Sequence, residues 1–203
     1  MTWIDTIEPE QAQGRLARLY TQVRSADGQI DNILRAHSLR PRTLEAHLAL
    51  YRAVLHSRPR ELSARESELV GVVVSRLNGC TYCDRHHFAG LVRHLEGDVM
   101  LATGYVTQAM DGSNHGPLSA RAQSMCGYAQ RLTRTPGAMT SADLAPLRAA
   151  GLQDAAILEL NQVVSYFAYA NRTVLGLGVE IADEVLGLHP DADADTAELY
   201  RHT

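Results

Sequence analysis

Apolar residues recur along this chain mostly at helical spacing, and strand-like alternation bounded by turn residues is scarce. Pro9 predicts the start of a first helix reaching about Arg24, with Leu16, Leu19, Tyr20 and Val23 on one face. A turn at 25–28 and a short turn or helix around Ile30 to Ala36 follow. Pro41 to about His56 reads as a second long helix, because Leu44, Leu48, Tyr51 and Leu55 fall at i, i+4, i+7 and i+11. Ser63-Ala-Arg-Glu66 fits a capping box and starts another. The nearly continuous apolar run from Leu69 to Val74 implies burial on most sides. Val72, Val73 and Val74 also suit a strand, but the capped start and the length to Asn78 favour helix. Gly79 is a good residue to end it.

The next helix carries Cys80 or Cys83 in its first turn and runs to about Leu95. Beyond it the pattern predicts a short helical piece over Gly97 to Gly104 and a clear loop from Asp111 to Pro117. A helix from Ser119 to about Thr133 follows, with a break at Thr135-Pro-Gly137. Thr140, with Asp143 three residues on, caps a short helix that ends at Gly151. Gln153 to about Leu186 holds one long helix or two, and the acidic stretch Asp191 to Asp195 reads as a mobile tail. The expected fold class is therefore all-α, a single domain over residues 1–203. It divides into an N-terminal helical region of about 1–60, a core of about 61–110 and C-terminal helices of about 117–187. One weak internal echo is present. Glu68-Leu-Val-Gly-Val-Val and Glu159-Leu-Asn-Gln-Val-Val share spacing, and the residues 12 on from each Glu are Cys80 and Asn171. An old duplication and chance similarity between two buried helices explain this equally well.

Composition adds mainly exclusions. With 45% hydrophobic and 21% charged residues the chain is an ordinary globular one. A net charge of −4 and a pI near 6.1 give no electrostatic case for nucleic acid or a membrane surface. No stretch approaches the ~18 apolar residues of a spanning helix. The N-terminus shows neither a basic region nor an apolar core of a signal peptide, so the expected location is cytoplasmic. Three cysteines are too few for a secreted disulfide framework, and in a reducing compartment a CxxC reads as catalytic or metal-binding.

That CxxC is Cys80-Thr81-Tyr82-Cys83, followed by His86 and His87 and preceded by Glu68. Two thiols at this spacing can close into a disulfide and reopen. Only a thiolate attacks a peroxide or a disulfide, and a helix N-terminus favours the anion through its free N–H groups and dipole. His87 lies four residues after Cys83 and His86 three, so either imidazole can share its face and carry a proton. Glu68 lies roughly 18 Å from Cys80 along a straight helix, at about 1.5 Å per residue. It reaches the histidines only if the two helices fold back at Gly79.

Glu68, Cys80-Thr-Tyr82-Cys83 and His87 together resemble the Glu-x(11)-Cys-x-x-Cys-x(3)-His signature of the alkylhydroperoxidase D family. That family lies within the carboxymuconolactone decarboxylase-like superfamily. Chain length and the flanking Arg-Leu-Asn-Gly-Cys-Thr-Tyr-Cys look most like its peroxidase-related branch. The resemblance implies an all-α helical bundle that assembles as a homo-oligomer, commonly a trimer or hexamer. It implies that Cys83 attacks the hydroperoxide, that Cys80 resolves the sulfenic acid as a disulfide, and that Glu68 and His87 relay the proton. Tyr82 occupies a position where the family varies and is carried as a fifth candidate. No cofactor and no metal are implied. The partners are a hydroperoxide substrate and an external dithiol or protein reductant. A disulfide reductase, or a redox sensor that oxidises without turnover, uses the same thiols and is the alternative.

Blander readings stand beside these. Zinc could take Cys80, Cys83, His86 or His87, with His94 or Cys126 as a fourth ligand, but no second paired motif is visible and zinc has no use for the Glu68 spacing. Cys126 reads as a small buried hydrophobe. His94 and His115 read as surface or capping residues. Tyr166, Phe167 and Tyr169 read as core or interface aromatics that could also wall a substrate pocket.

Overall fold

The structure, a computed structural model, describes residues 2–25, 28–113, 115–182 and 184–187. Its regular elements among these residues are all helical. They are α1 (Gly14–Val23), α2 (Asn32–Arg35), α3 (Pro41–Leu55), α4 (Ala64–Leu77), α5 (Thr81–Arg93), α6 (Val99–Asp111), α7 (Ala120–Arg134), α8 (Ala145–Ala149) and α9 (Asp154–Leu177), with short 3₁₀ turns at Pro9–Gln11, Pro136–Ala138 and Ser141–Leu144. No helix among them is long and apolar enough to cross a membrane. The acidic stretch Asp191 to Asp195 lies outside the described residues.

The central helix is α4, which packs against α5, α6, α7 and α9. Its start is the capping box: Ser63 Oγ accepts from Glu66 N, and the Glu66 carboxylate accepts from Ser63 N at 2.8 Å. Val72, Val73 and Val74 have no exposed surface. Their β-branching disfavours helix slightly, but burying each is worth roughly 1.5–3 kcal/mol. Packing therefore decides the element, as the capped start implied. Gly71 is needed on this helix because the Phe167 ring of α9 occupies the space a Cβ would take.

Three boundaries differ from the sequence expectation. The first helix begins at Gly14, after a separate 3₁₀ turn at Pro9–Gln11; Gly14 sits at φ 56°, through which a right-handed helix does not run. The piece expected over Gly97 to Gly104 is the longer α6, started by Asp98, whose side chain accepts from Leu101 N at 2.8 Å. The last helical region is one helix, α9, which stops at Gly178 (φ 62°) well short of Leu186. Among the described residues beyond Gly178, Glu180 O accepts from Asn32 at 3.0 Å and Glu184 accepts from Tyr82.

The main core runs across the loop between α6 and α7, with Val72, Val106, Met125 and Leu160 in one cluster. A smaller cluster joins α1 to α3 through Leu16, Tyr20, Leu34 and Leu44. A third, of Ala36, Cys80, Tyr82, Cys83, Val174 and Val179, holds the CxxC between α2, α5 and α9.

Candidate active site

The site is built at the corner between α4 and α5. Gly79 takes φ 70°, the left-handed conformation that reverses the chain after Asn78. Cys80 N donates to Ser75 O at 2.8 Å, closing the turn. Cys80 is then the N-cap of α5, and Cys83 is its third residue. Both thiols are free and buried, at 1% and 4% exposure.

The two sulfurs are inequivalent. The Cys80 thiol is held below its ordinary value, first by the hydrogen bond from the Cys83 thiol and then by the backbone N–H groups of Cys83 and Tyr82 and the Asn171 side chain. These outweigh its burial. Cys83 is pushed the other way by the same hydrogen bond with Cys80 and by burial. The resemblance implies attack by Cys83, while the backbone N–H groups at the start of α5 favour charge on Cys80. A shared S–H···S bond lets one proton move between them, so charge at Cys80 is charge available to Cys83.

Glu68 and His87 meet because α4 and α5 fold back on one another. His87 Nδ1 lies 2.7 Å from Glu68 Oε2, with both side chains buried. A carboxylate on one ring nitrogen fixes the tautomer and the orientation of the ring. Gly90 makes the approach possible: a Cβ there would stand 2.7 Å from the Glu68 carboxyl carbon. The Phe167 ring meets His87 edge-on at 4.4 Å. His86 takes another partner, with its Nε2 3.2 Å from Glu184 Oε2 and its ring 4.6 Å from that of Tyr82. Tyr82 OH donates to the same Glu184 oxygen at 2.5 Å and accepts from Ile33 N. The imidazole that meets Glu68 is thus His87, while His86 and Tyr82 both lie against Glu184.

A cavity of about 60 Å³ opens beside Cys83, His86, His87 and Tyr82, closed on its far side by Tyr51, Tyr166 and His47. Cys80 is not on its wall. Burial raises the Tyr51 and Tyr166 hydroxyls well above their ordinary value and drives His47 down to about 3. All three are neutral near pH 7.

Several contributors escaped the sequence reading. Asn171, fully buried on α9, donates from Nδ2 to Ser75 Oγ at 3.1 Å, accepts from Asn78 at 2.9 Å and reaches both sulfurs. Only the echo with Cys80 had marked it. Gly90 and Glu184 carried no signal, since their roles exist only across helices. Cys126 sits in the core of α7 with its thiol pushed up to about 12 by burial, a chemically quiet group. His94 caps the end of α5 and His115 is exposed. Among the described residues, no three His, Cys, Asp or Glu side chains cluster as metal ligands would.

The site is thus a buried dithiol at a helix N-terminus, with a histidine bound to Glu68 one turn on. The carboxymuconolactone decarboxylase family model matches residues 41–103, which hold α3, α4, α5 and this site. With the fold, that match makes the chain similar to the alkylhydroperoxidase D-like proteins of the carboxymuconolactone decarboxylase-like superfamily. No curated protein matched the sequence. Among solved structures, an alkylhydroperoxidase AhpD core, a peroxidase-related protein from Ralstonia eutropha JMP134, superimposes with TM-score 0.77 at 21% identity, over 90% of this chain and 93% of its own. A peroxidase-related protein from Silicibacter sp. TM1040 gives TM-score 0.73 at 27% identity, over 93% and 92%. The debrominase Bmp8 gives TM-score 0.71 at 13% identity, over 88% and 91%.

Proposed function

We propose that this chain is a thiol peroxidase that reduces hydroperoxides through a Cys80–Cys83 disulfide. The observation that carries it is the placement of Cys83 between Cys80 and the cavity, beside a His87–Glu68 pair at 2.7 Å. One thiol proton passes to His87, and the remaining proton is shared between the sulfurs. With that proton on Cys80, the Cys83 thiolate attacks the terminal oxygen of ROOH. The S–O bond forms, the O–O bond breaks, and the sulfur is oxidised by two electrons to a sulfenic acid. The leaving alkoxide takes the proton held by His87 and departs as alcohol. Cys80 then condenses with the sulfenic acid, releasing water. An external dithiol restores both thiols by exchange.

The peroxidase-related proteins of the same fold support this reading. A disulfide reductase acting on proteins is disfavoured, because both sulfurs are almost wholly covered while a small molecule can reach Cys83 through the cavity. Bmp8, named a debrominase and solved with 2,3,4-tribromopyrrole, gives a second use of this fold. Homo-oligomer formation and a cytoplasmic location remain part of the proposal. The test is peroxide consumption by reduced protein with excess dithiol. Sustained turnover lost in Cys83→Ser supports the peroxidase; a wild type that oxidises once and stops leaves a redox sensor.

A further inference from the structure

The cavity has a polar wall that the thiol chemistry above does not use. Tyr166 on α9 is buried and lines the cavity. Its hydroxyl lies 3.4 Å from His47 Nε2. His47 is 3% exposed, and its Nδ1 has no hydrogen-bond partner among the described residues. With the His47 proton on Nε2, the imidazole donates to the phenol oxygen and leaves the O–H free for the cavity. The volume of about 60 Å³ is well below the ~150 Å³ of an apolar cavity that takes up benzene. A two-oxygen unit fits that space.

We propose that Tyr166 is a catalytic residue that donates a hydrogen bond to the oxygen leaving from a peroxide bound in this cavity, and that the site is built for hydrogen peroxide and the smallest alkyl hydroperoxides. The inference rests on the peroxidase reading for its substrate and extends it to the leaving group. As Cys83 sulfur bonds to the distal oxygen and the O–O bond breaks, the electron pair goes to the proximal oxygen. Tyr166 holds that oxygen while charge grows on it; the proton that completes the alcohol or water still comes from His87, so the phenol keeps its own. Burial and the nearby Cys83 sulfur keep the hydroxyl protonated well above its ordinary range, so it stays a donor at any working pH. A donor fixed in a dry site, aimed at charge that exists only in the transition state, lowers the barrier.

The experiment is single-turnover oxidation of reduced protein by hydrogen peroxide and by cumene hydroperoxide, followed by quenching and mass measurement of the Cys80–Cys83 disulfide. Wild type is compared with Tyr166→Phe, and the same proteins are alkylated with iodoacetamide at Cys83. Alkylation has no oxygen leaving group, so it reports the thiol and its surroundings alone. The expected result is oxidation about 100-fold slower in Tyr166→Phe, the lower end of what removing one oxyanion donor costs, with alkylation within about twofold of wild type and wild type oxidised faster by hydrogen peroxide than by cumene hydroperoxide. Equal rates in the two proteins, or parallel slowing of oxidation and alkylation, would overturn the role of Tyr166. Faster oxidation by cumene hydroperoxide would overturn the substrate size. Turnover with excess dithiol is scored separately: its absence beside a slowed Tyr166→Phe oxidation sinks the peroxidase reading and leaves the phenol's role standing.

Discussion

Helices α4 and α9 carry the same short pattern, Glu-Leu-x-x-Val-Val, and lie against each other, yet their glutamates end in different worlds. Glu68 faces α5 and binds His87 at 2.7 Å. Glu159 faces the α3–α4 connection, where it accepts from Glu61 N at 2.7 Å and lies 3.6 Å from Arg60. Twelve residues on from Glu68 the chain has turned a corner at Gly79 and presents a thiol. Twelve residues on from Glu159 it is still inside one unbroken helix and presents Asn171, which supports that same thiol. The difference teaches that the glycine corner creates the site. Without it the carboxylate and the dithiol would stand apart along one rod; with it the carboxylate meets His87, one turn on from Cys83, and the uninterrupted partner becomes the wall.

The largest contrast is expected between Glu68→Gln and Glu159→Gln. The first keeps the shape of the His87 contact and removes its charge, and peroxide turnover should fall about 100-fold or more, the low end for acid–base groups. The second should leave turnover within about twofold and change stability by no more than about 1 kcal/mol. Steady-state rates and urea midpoints decide it; equal losses would break the comparison.

Gly90→Ala attacks the same pair through space. The new Cβ meets the Glu68 carboxyl at 2.7 Å, so destabilisation of about 1–3 kcal/mol is expected from overpacking, with turnover reduced alongside it. A protein of unchanged stability and activity would show that Glu68 has room to move.

On the α9 side, His47 predicts an acid limit. Its folded value is about 3 against an ordinary 6.5. Between these the unfolded chain takes up a proton that the folded chain refuses, so stability is fully present above pH 6.5 and is lost as pH falls toward 3. The slope reaches at most about 1.4 kcal/mol per pH unit. Denaturation midpoints measured across this window should flatten in His47→Gln.

The smallest effect is expected at Asn171. Removing its hydrogen bonds in Asn171→Ala should raise the Cys80 thiol pKa, read from thiolate ultraviolet absorbance against pH. Turnover would slow mainly at the acidic end of its profile, where thiolate is scarcest. No shift in the titration would mean that the backbone N–H groups alone hold the anion.

Much of the fold was legible because its determinants are local. The Ser63–Glu66 box, Gly79, Pro41, the Ser119 cap and the Thr140–Asp143 box are contacts within a turn of helix, and each marks an element end in the structure. The reach of α6 and the single length of α9 were not legible, since both depend on burial against neighbours. At the site, the positions of Glu68, Cys80, Cys83 and His87 marked a redox constellation. Spacing alone left His86 and His87 interchangeable and left open which thiol the helix N-terminus favours.

By itself, then, the sequence determined the helices, the corner and the set of reactive side chains, because propensity, caps and periodicity act over a few residues. Tertiary structure decided which histidine meets Glu68, which sulfur sits on the helix N-terminus and which faces the cavity. It also recruited Asn171, Gly90, Glu184 and Tyr166, residues far from the motif in the chain or, like Gly90, without a side chain. Those outcomes depend on distances of a few ångströms between helices, and nothing in a linear pattern carries them.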